Sequence, residues 1–355
     1  ETDTSIKAAL QGQGVVARSF AGALLHEPWT VRTQSGSPYK IFTAFWRAAC
    51  TLPVQAFLRS APEKLVFAAP VPALEALRVP PEQYGLLPTT PAWAGGLRKT
   101  WVPGEAQACT QLADFCQHDQ ADYAQTRDFP AKESTSGLSP FLRFGHVSPA
   151  RVWESAQARP NPEKFLTELG WRDFAWSLLF ETPDLASRNL RPEFDAMPWR
   201  TDHKGLAAWQ HGQTGYPLVD AGMRELWHTG GMHNRVRMVV ASFLVKHLLI
   251  DWREGERWFA DTLVDYDPAS NPMNWQWGAG TGVDAAPYFR IMNPVLQSRK
   301  FDPQGAYIRS WVPEIAHLSD KDIHTPWETG CRGYVAPIVD HAMARARALA
   351  AWKAL

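Results

Sequence analysis

Thirteen residues, Asp265 to Trp277, read D-Y-D-P-A-S-N-P-M-N-W-Q-W and bring together two carboxylates, three amides and two indoles. A Gly-rich turn then leads to Asp284 and Arg290. A core segment would repeat its apolar residues with a period of 3.6 or 2, and this one does neither. Polar edges beside aromatic planes suit a flat, conjugated ligand. Asp265 and Asp267 read as hydrogen-bond acceptors, because two close carboxylates otherwise raise each other's pKa. A carboxylate pair also suits a glycosidase or a metal site, but no His stands at ligand spacing and no second acidic pair is near. Trp275 and Trp277 are two residues apart, about 200° around a helix, so on a helix they serve different sides.

Three other groupings have usable chemistry. Ser134, Thr135, Ser136, Gly137 and Ser139 form a turn running into Pro140, with the hydroxyls and backbone N–H groups that a phosphate needs. An ordinary Ser-rich cap is the commoner meaning of such a turn. Asn234, Arg235 and Met238 share one helix face, and His233 and Arg237 another. The first set fits a flat, polar-edged ligand such as a base, and equally a solvated face beside a core Met. Glu168 and Trp171 are i and i+3, with Arg172 four residues after Glu168. A carboxylate beside an indole can bond a base edge while the ring stacks on its plane. A surface ion pair next to a core Trp is the plainer alternative.

These residues must be positioned by a chain of 355 residues, long enough for two or three packed units. With 45% hydrophobic and 20% charged residues the composition is that of a globular protein, and no apolar run approaches the roughly 18 residues of a membrane span. Formal net charge is zero, so any attraction to nucleic acid has to come from a local basic face. Cys50, Cys109, Cys116 and Cys331 show no metal spacing and read as reduced thiols of a cytosolic protein. The 17 Trp stand out, since a buried indole N–H wants a partner.

Glu1 rather than Met comes first and Thr4–Leu10 resembles the end of a helix, so the chain is expected to begin inside a longer protein. Residues 1–40 read as the tail of an α/β unit: a helix to Leu10, a stop at Gly14, and a strand V-V-A-R-S-F over 15–20. Lys40–Leu52 is a short aromatic helix. Residues 41–104 otherwise form a Pro-rich connector lying over something larger. From 105 to 355 the pattern is helical. One long helix is expected over Glu105–Arg127. Further helices follow Pro140, Pro149, Pro162, Pro217, Met232 and Arg253, with a terminal one from Pro337. Ser before Pro140 and Pro149 signals two helix starts, and Asp251 with Glu254 a capping box.

Eight stretches then carry a resemblance: T-S-G-L-S-P, E-L-G-W-R-D-F, T-G-Y-P-L-V-D-A-G-M-R, M-H-N-R-V-R-M, L-L-I-D-W-R-E-G-E-R-W-F, D-P-A-S-N, W-Q-W and D-A-A-P-Y-F-R-I-M-N-P, in that order between Thr135 and Pro294. Together they resemble the photolyase/cryptochrome family, most closely its bacterial cyclobutane pyrimidine dimer photolyases. The resemblance implies a mainly α fold: a large all-helical FAD-binding domain preceded by the remnant of an α/β, Rossmann-like antenna domain. Most of that antenna domain, which carries a folate or deazaflavin pigment in the family, would lie outside this chain. The implied activity is light-driven electron transfer from reduced FAD to a flipped-out dimer in damaged DNA, by a bacterial, cytoplasmic monomer with no metal and no membrane contact.

Residue by residue, the resemblance implies flavin contacts for Tyr123, Thr135, Ser136, Gly137, Leu138, Ser139, Arg237, Asp265, Tyr266 and Asp267, with Asn271 next to flavin N5. Glu168, Trp171, Asn234, Arg235, Met238 and Trp277 match the dimer-binding wall, Glu168 also counting as catalytic. Arg127, Arg290 and Gln297 match contacts to the lesion strand. Trp275, Trp252 and Trp199 match a three-tryptophan relay that feeds electrons in from the surface.

Six positions depart from the family pattern. Gly231 stands for a Trp and should leave a hole beside the flavin pocket; Tyr266 stands for Ala or Gly, Gly137 for Arg, Met273 and Asn274 for smaller residues, and Arg299 for Glu. Altered flavin affinity or redox tuning is expected from them. The rival function is a cryptochrome-type photoreceptor without repair. A (6-4) photolyase is disfavoured because its paired histidines are His233-Asn234 here.

Overall fold

The computed structural model describes residues 2–54, 64–66, 72–75, 77–86, 90, 92–285 and 287–355. Among them the chain forms seventeen α-helices: α1 Thr2–Gly12, α2 Phe42–Ala49, α3 Pro72–Glu75, α4 Gly95–Thr100, α5 Glu105–Asp114, α6 Tyr123–Thr126, α7 Ser139–Arg143, α8 Pro149–Gln157, α9 Glu163–Glu181, α10 His203–Gln210, α11 Pro217–Thr229, α12 Asn234–Ser242, α13 Trp252–Thr262, α14 Ser270–Ala279, α15 Pro294–Phe301, α16 Ala306–Trp311 and α17 His341–Lys353. The fold is mainly α, with no strand among the described residues. Part of the expected connector lies outside the described residues.

The strand expected over residues 15–20 is not formed. A strand is stable only when its backbone groups find a neighbour, and none runs beside this one. Val15, Val16 and Phe20 are exposed accordingly. The single helix expected over Glu105–Arg127 is also interrupted. After α5 the backbone passes through a π turn at Phe115–Asp119 and a 3-10 turn at Gln120–Asp122 before α6. That break lets Phe115 and Tyr123 meet edge-on, and each also packs against Phe165 of α9.

Helix ends follow the sequence signals only in part. Ser148 caps α8 by accepting from Arg151 N at 3.2 Å. Asp251 caps α13 through Arg253 N at 2.9 Å, but Glu254 pairs with Arg257 rather than closing a capping box. Ser139 is not a cap: its hydroxyl donates to Asp265 instead, at 2.7 Å.

The largest core cluster gathers α11, α12, α13 and α14 around Trp209, Phe243, Trp252 and Trp275. A second lies under α5, α8 and α9, and a third sets Phe42 and Phe45 of α2 against Phe174 of α9. Burying aliphatic and aromatic side chains of this size stabilises by roughly 1.5–3 kcal/mol each. Two distant carboxylates pin the early chain to this frame. Asp173 of α9 accepts from the N–H groups of Leu25 and His26 at 3.3 and 2.8 Å, and Asp284 accepts from Phe42 N at 2.8 Å.

Candidate functional site

The segment 265–277 enters α14 through two carboxylates with different tasks. Asp267 stays local, its Oδ1 accepting from Ala269 N and Ser270 N at 3.0 and 2.7 Å. Its Oδ2 accepts from Trp176 Nε1 of α9 at 3.2 Å, which fastens the start of α14 to α9. Asp265 reaches outward. It takes two bonds from Arg237 Nη2, at 2.9 and 3.1 Å, and one from Ser139. Arg237 is itself aimed by a 2.7 Å bond from Nε to the Met232 carbonyl. One carboxylate thus joins the 134–139 turn, α12 and the loop before α14. Its side chain is 7% exposed, so loss of the guanidinium would leave a nearly buried charge, at a cost of about 3–5 kcal/mol.

Within the turn, Gly137 has φ +61°, a backbone a side chain resists, and a Cβ there would sit 3.4 Å from the Gln111 amide. Ser134 Oγ is buried with no partner. Thr135, Ser136 and Leu138 belong to the same turn, where Leu138 N bonds Ser136 Oγ at 3.4 Å. Tyr123 is buried nearby in sequence order but in a different wall, under the Arg127 guanidinium at 5.1 Å. Burial, more than the adjacent Glu168, pushes its hydroxyl pKa up.

On α14, Asn271 and Trp275 stand one turn apart. The Asn271 amide donates to Glu256 Oε1 at 3.1 Å, and Tyr266 OH to the same oxygen at 3.4 Å. Tyr266 therefore occupies its place through a partner of its own. Glu256, whose carboxyl pKa burial raises while the two donors hold it down, was absent from the sequence reading. The adjacent R-E-G-E-R run offered no way to tell an inward Glu from an outward one. Trp176 and Arg143, which donates to the Tyr266 carbonyl at 2.5 Å, were missed likewise.

The three tryptophans expected to form a relay differ in burial. Trp275 is buried against Gly255, Phe259 and Trp209, with its Nε1 unpartnered. Trp252 is fully buried and donates to Asn189 Oδ1 at 2.9 Å. Trp199 is half-exposed at the edge of the same core. Trp275 and Trp252 are thus both interior, and only Trp199 reaches the surface.

Trp171 and Trp277 line one small cavity with Met273, Gln276 and Val283. Its volume is about 10 Å³, room for no more than a water molecule, and Trp171 has one face stacked on Phe42 at 3.7 Å. The plain ion pair considered for Glu168 with Arg172 does not form. Glu168 pairs with Arg127 and, at 3.4 Å, with Lys164, while Arg172 donates to the Ala23 carbonyl. Arg127 is thus committed inside the fold rather than extended towards a strand. Arg235 is held by Asp128 at 2.6 Å and lies 4.3 Å over Phe301. Asn234 and Arg290 are exposed, and Met238 and Gln297 half-buried. Lys246, buried without a counter-charge, donates to the Arg290 carbonyl at 3.0 Å.

The hole expected at Gly231 is filled. A Cβ there would lie 3.4 Å from Cζ2 of Trp101, whose Nε1 donates to the Thr229 carbonyl at 2.6 Å. An indole arrives from a distant part of the chain. Of the other departures, Met273 is buried, Asn274 turns back to the Ser270 carbonyl at 2.7 Å, and Arg299 is exposed.

No group of three metal-ligating side chains occurs among the described residues, and no described helix is long and apolar enough to cross a membrane. Residues 165–354 match the family model described as the FAD binding domain of DNA photolyase, and residues 1–64 the model described as DNA photolyase. The whole chain is 48% identical to a deoxyribodipyrimidine photo-lyase of Agrobacterium fabrum, of which it spans 77%. Among solved structures, a bacterial class III photolyase from Agrobacterium tumefaciens superposes with a TM-score of 0.89 at 46% identity, over 99% of this chain and 76% of that one. An archaeal photolyase from Sulfolobus tokodaii, solved with two FAD molecules, gives 0.80 at 33%, over 99% and 75%.

Proposed function

The chain belongs to the photolyase/cryptochrome family, and from that premise we propose how its residues share the work of light-driven repair of cyclobutane pyrimidine dimers in DNA. The observation that carries the assignment of roles is Asp265, where the 134–139 turn and Arg237 of α12 converge in a chain that matches photo-lyases along its whole length. Two features fit FAD there. Ser134 Oγ is a buried polar atom without a partner, and the left-handed Gly137 keeps its turn free of a side chain. When bound, reduced FAD supplies the photoexcited electron that opens the C5–C5 and C6–C6 bonds of the dimer, and it recovers that electron afterwards.

The protein's part is holding and aiming. The hydroxyls and N–H groups of the turn, with Arg237, suit the diphosphate. Asp265 fixes Arg237 and keeps acceptor capacity for the sugar or ring side. Asn271, whose Nδ2 donates to Glu256 Oε1 and to the Glu256 carbonyl, keeps its Oδ1 free to accept from a ring N–H. Trp275, Trp252 and Trp199 serve as the electron supply, with only Trp199 of the three reaching the surface.

For the lesion, Trp171 and Trp277 are the stacking planes, with Glu168, Asn234, Arg235 and Met238 around them. Admitting a dimer requires the small cavity between the two indoles to widen. Arg290, which is exposed, and Gln297, half-buried, are assigned to contacts with the strand. The location is cytoplasmic, the protein acts as a monomer, and residues 1–40, 41–104 and 105–355 are the remnant, connector and catalytic units.

Blue light on flavin-loaded protein with a thymine-dimer oligonucleotide tests this. Loss of the dimer in light and not in darkness is expected. Full flavin content with no light-dependent loss refutes it and favours a photoreceptor.

A further inference from the structure

A second hollow lies away from the lesion wall. It is walled by Arg200, Asp202, Lys204, Leu248, Val339 and Arg347, and its volume of about 310 Å³ falls at the small end of ligand pockets. Three cations line it against one carboxylate, an excess of two positive charges. The carboxylate is partly spent: Asp202 Oδ1 caps α10 through Gly205 N at 2.8 Å, and Oδ2 is 3.8 Å from Arg200. Arg347 of α17 uses Nη2 on the His247 carbonyl, while its Nε is shut from solvent with no partner. Arg200 and Lys204 are exposed and Arg347 is half-buried, so the cavity mouth gathers three cationic side chains that repel one another until an anion answers them. Burial and the neighbouring Arg200 together depress the Arg347 pKa, which Asp202 only partly offsets.

We propose that this cavity binds one small phosphate- or carboxylate-bearing anion, held by Arg347 with Arg200 and Lys204 at its rim. Planar guanidinium donors match both headgroups bidentately. A cavity with a half-buried donor admits a small ion better than a duplex backbone, so the occupant is not DNA.

The position gives the site a consequence that rests on the relay described above. Trp199 precedes Arg200 and packs in a cluster with Leu249 and Ala348, which adjoin the wall residues Leu248 and Arg347. When one electron leaves Trp199 for an oxidised Trp252, no bond changes and a positive charge appears at Trp199. The excess positive charge lining the cavity opposes that charge, and a bound anion removes the opposition.

Calorimetry in the dark on flavin-loaded protein, titrated with inorganic phosphate against chloride at equal ionic strength, should give a saturable one-site isotherm. Removing a charge-assisted bond should weaken it at least about tenfold in Arg347→Met, and Arg200→Met should weaken it too, which keeps the test open if one variant misfolds. No phosphate heat in the wild type, or heat unchanged in both variants, overturns the site. Competition by undamaged duplex DNA for the same isotherm would assign it to nucleic acid and overturn the small-anion reading. In light, phosphate should speed flavin photoreduction with the calorimetric midpoint, and lose that effect in Arg347→Met. A flat light response beside a sound isotherm overturns the link to Trp199 alone. Absence of photoreduction at any phosphate concentration is instead a failure of the relay.

Discussion

Replacing Gly255 by Ala should move Trp275, proposed above as part of the electron supply, without touching it chemically. A Cβ built on Gly255 falls 2.6 Å from Cζ2 of Trp275, with Cη2 and Cζ3 closer still. Carbon atoms rest about 3.5 Å apart or more, so the indole must retreat by at least roughly 1 Å. It has little room, because Phe259 and Trp209 stand edge-on at 5.0 and 6.1 Å. Overpacking of this kind costs about 1–3 kcal/mol, while Ala in place of a mid-helix Gly returns about 1 kcal/mol. Gly278→Ala is the matched control, since its Cβ would meet only the Ala241 methyl at an ordinary 3.8 Å. Unfolding entropy of about 2.1 cal/mol/K per residue makes 1 kcal/mol worth roughly 1.3 °C in a chain of this length. Gly255→Ala should therefore melt about 1–4 °C below Gly278→Ala and photoreduce its flavin more slowly at equal flavin content. If the two variants match in both measurements, Trp275 does not pack where the structure puts it, and the argument from its burial fails.

Asp173 offers a pH test. Burial lifts its pKa to about 7, well above the ordinary carboxylate range, against the pull of the Leu25 and His26 N–H groups. A raised folded pKa means its contribution is complete below about pH 4 and is lost as pH climbs through 7, up to about 4 kcal/mol. Asp173→Asn should flatten that part of the melting-temperature profile between pH 4 and 7; an unchanged slope refutes the assignment. For the Trp101–Gly231 contact, Trp101→Ala should destabilise by up to about 3–5 kcal/mol, less because the ring is partly exposed. Gly231→Trp should be tolerated far better in the Trp101→Ala background than alone, giving a coupling of about 0.5–3 kcal/mol in a double-mutant cycle; additive effects would show that the two do not share a space.

What the sequence disclosed follows the range of the forces involved. Helix positions were legible because apolar period and caps act within a few residues, as at Ser148 before Pro149. Asp265 and Asp267 were rightly read as hydrogen-bond acceptors, because a carboxylate so close to another has little else to do. Long-range partners were not legible. Asp284, first read as part of the ligand segment, instead holds the first N–H of α2 across 242 positions. Trp101 answers Gly231 from 130 residues upstream, so a local departure from a motif did not foretell a local hole. The apolar run at 15–20 looked like a strand because pairing depends on a neighbour that alternation cannot report.

The ion pairs around Arg127 and Arg235 bear on how this protein searches DNA. Both guanidiniums are already neutralised, by Glu168 and by Asp128, in a chain whose formal charges sum to zero. Neither is free to dock on phosphates, so binding duplex displaces few condensed counterions through them. Affinity for undamaged duplex should accordingly be weak and shallow in its salt dependence, leaving discrimination to the energy gained when a poorly stacked lesion leaves the helix.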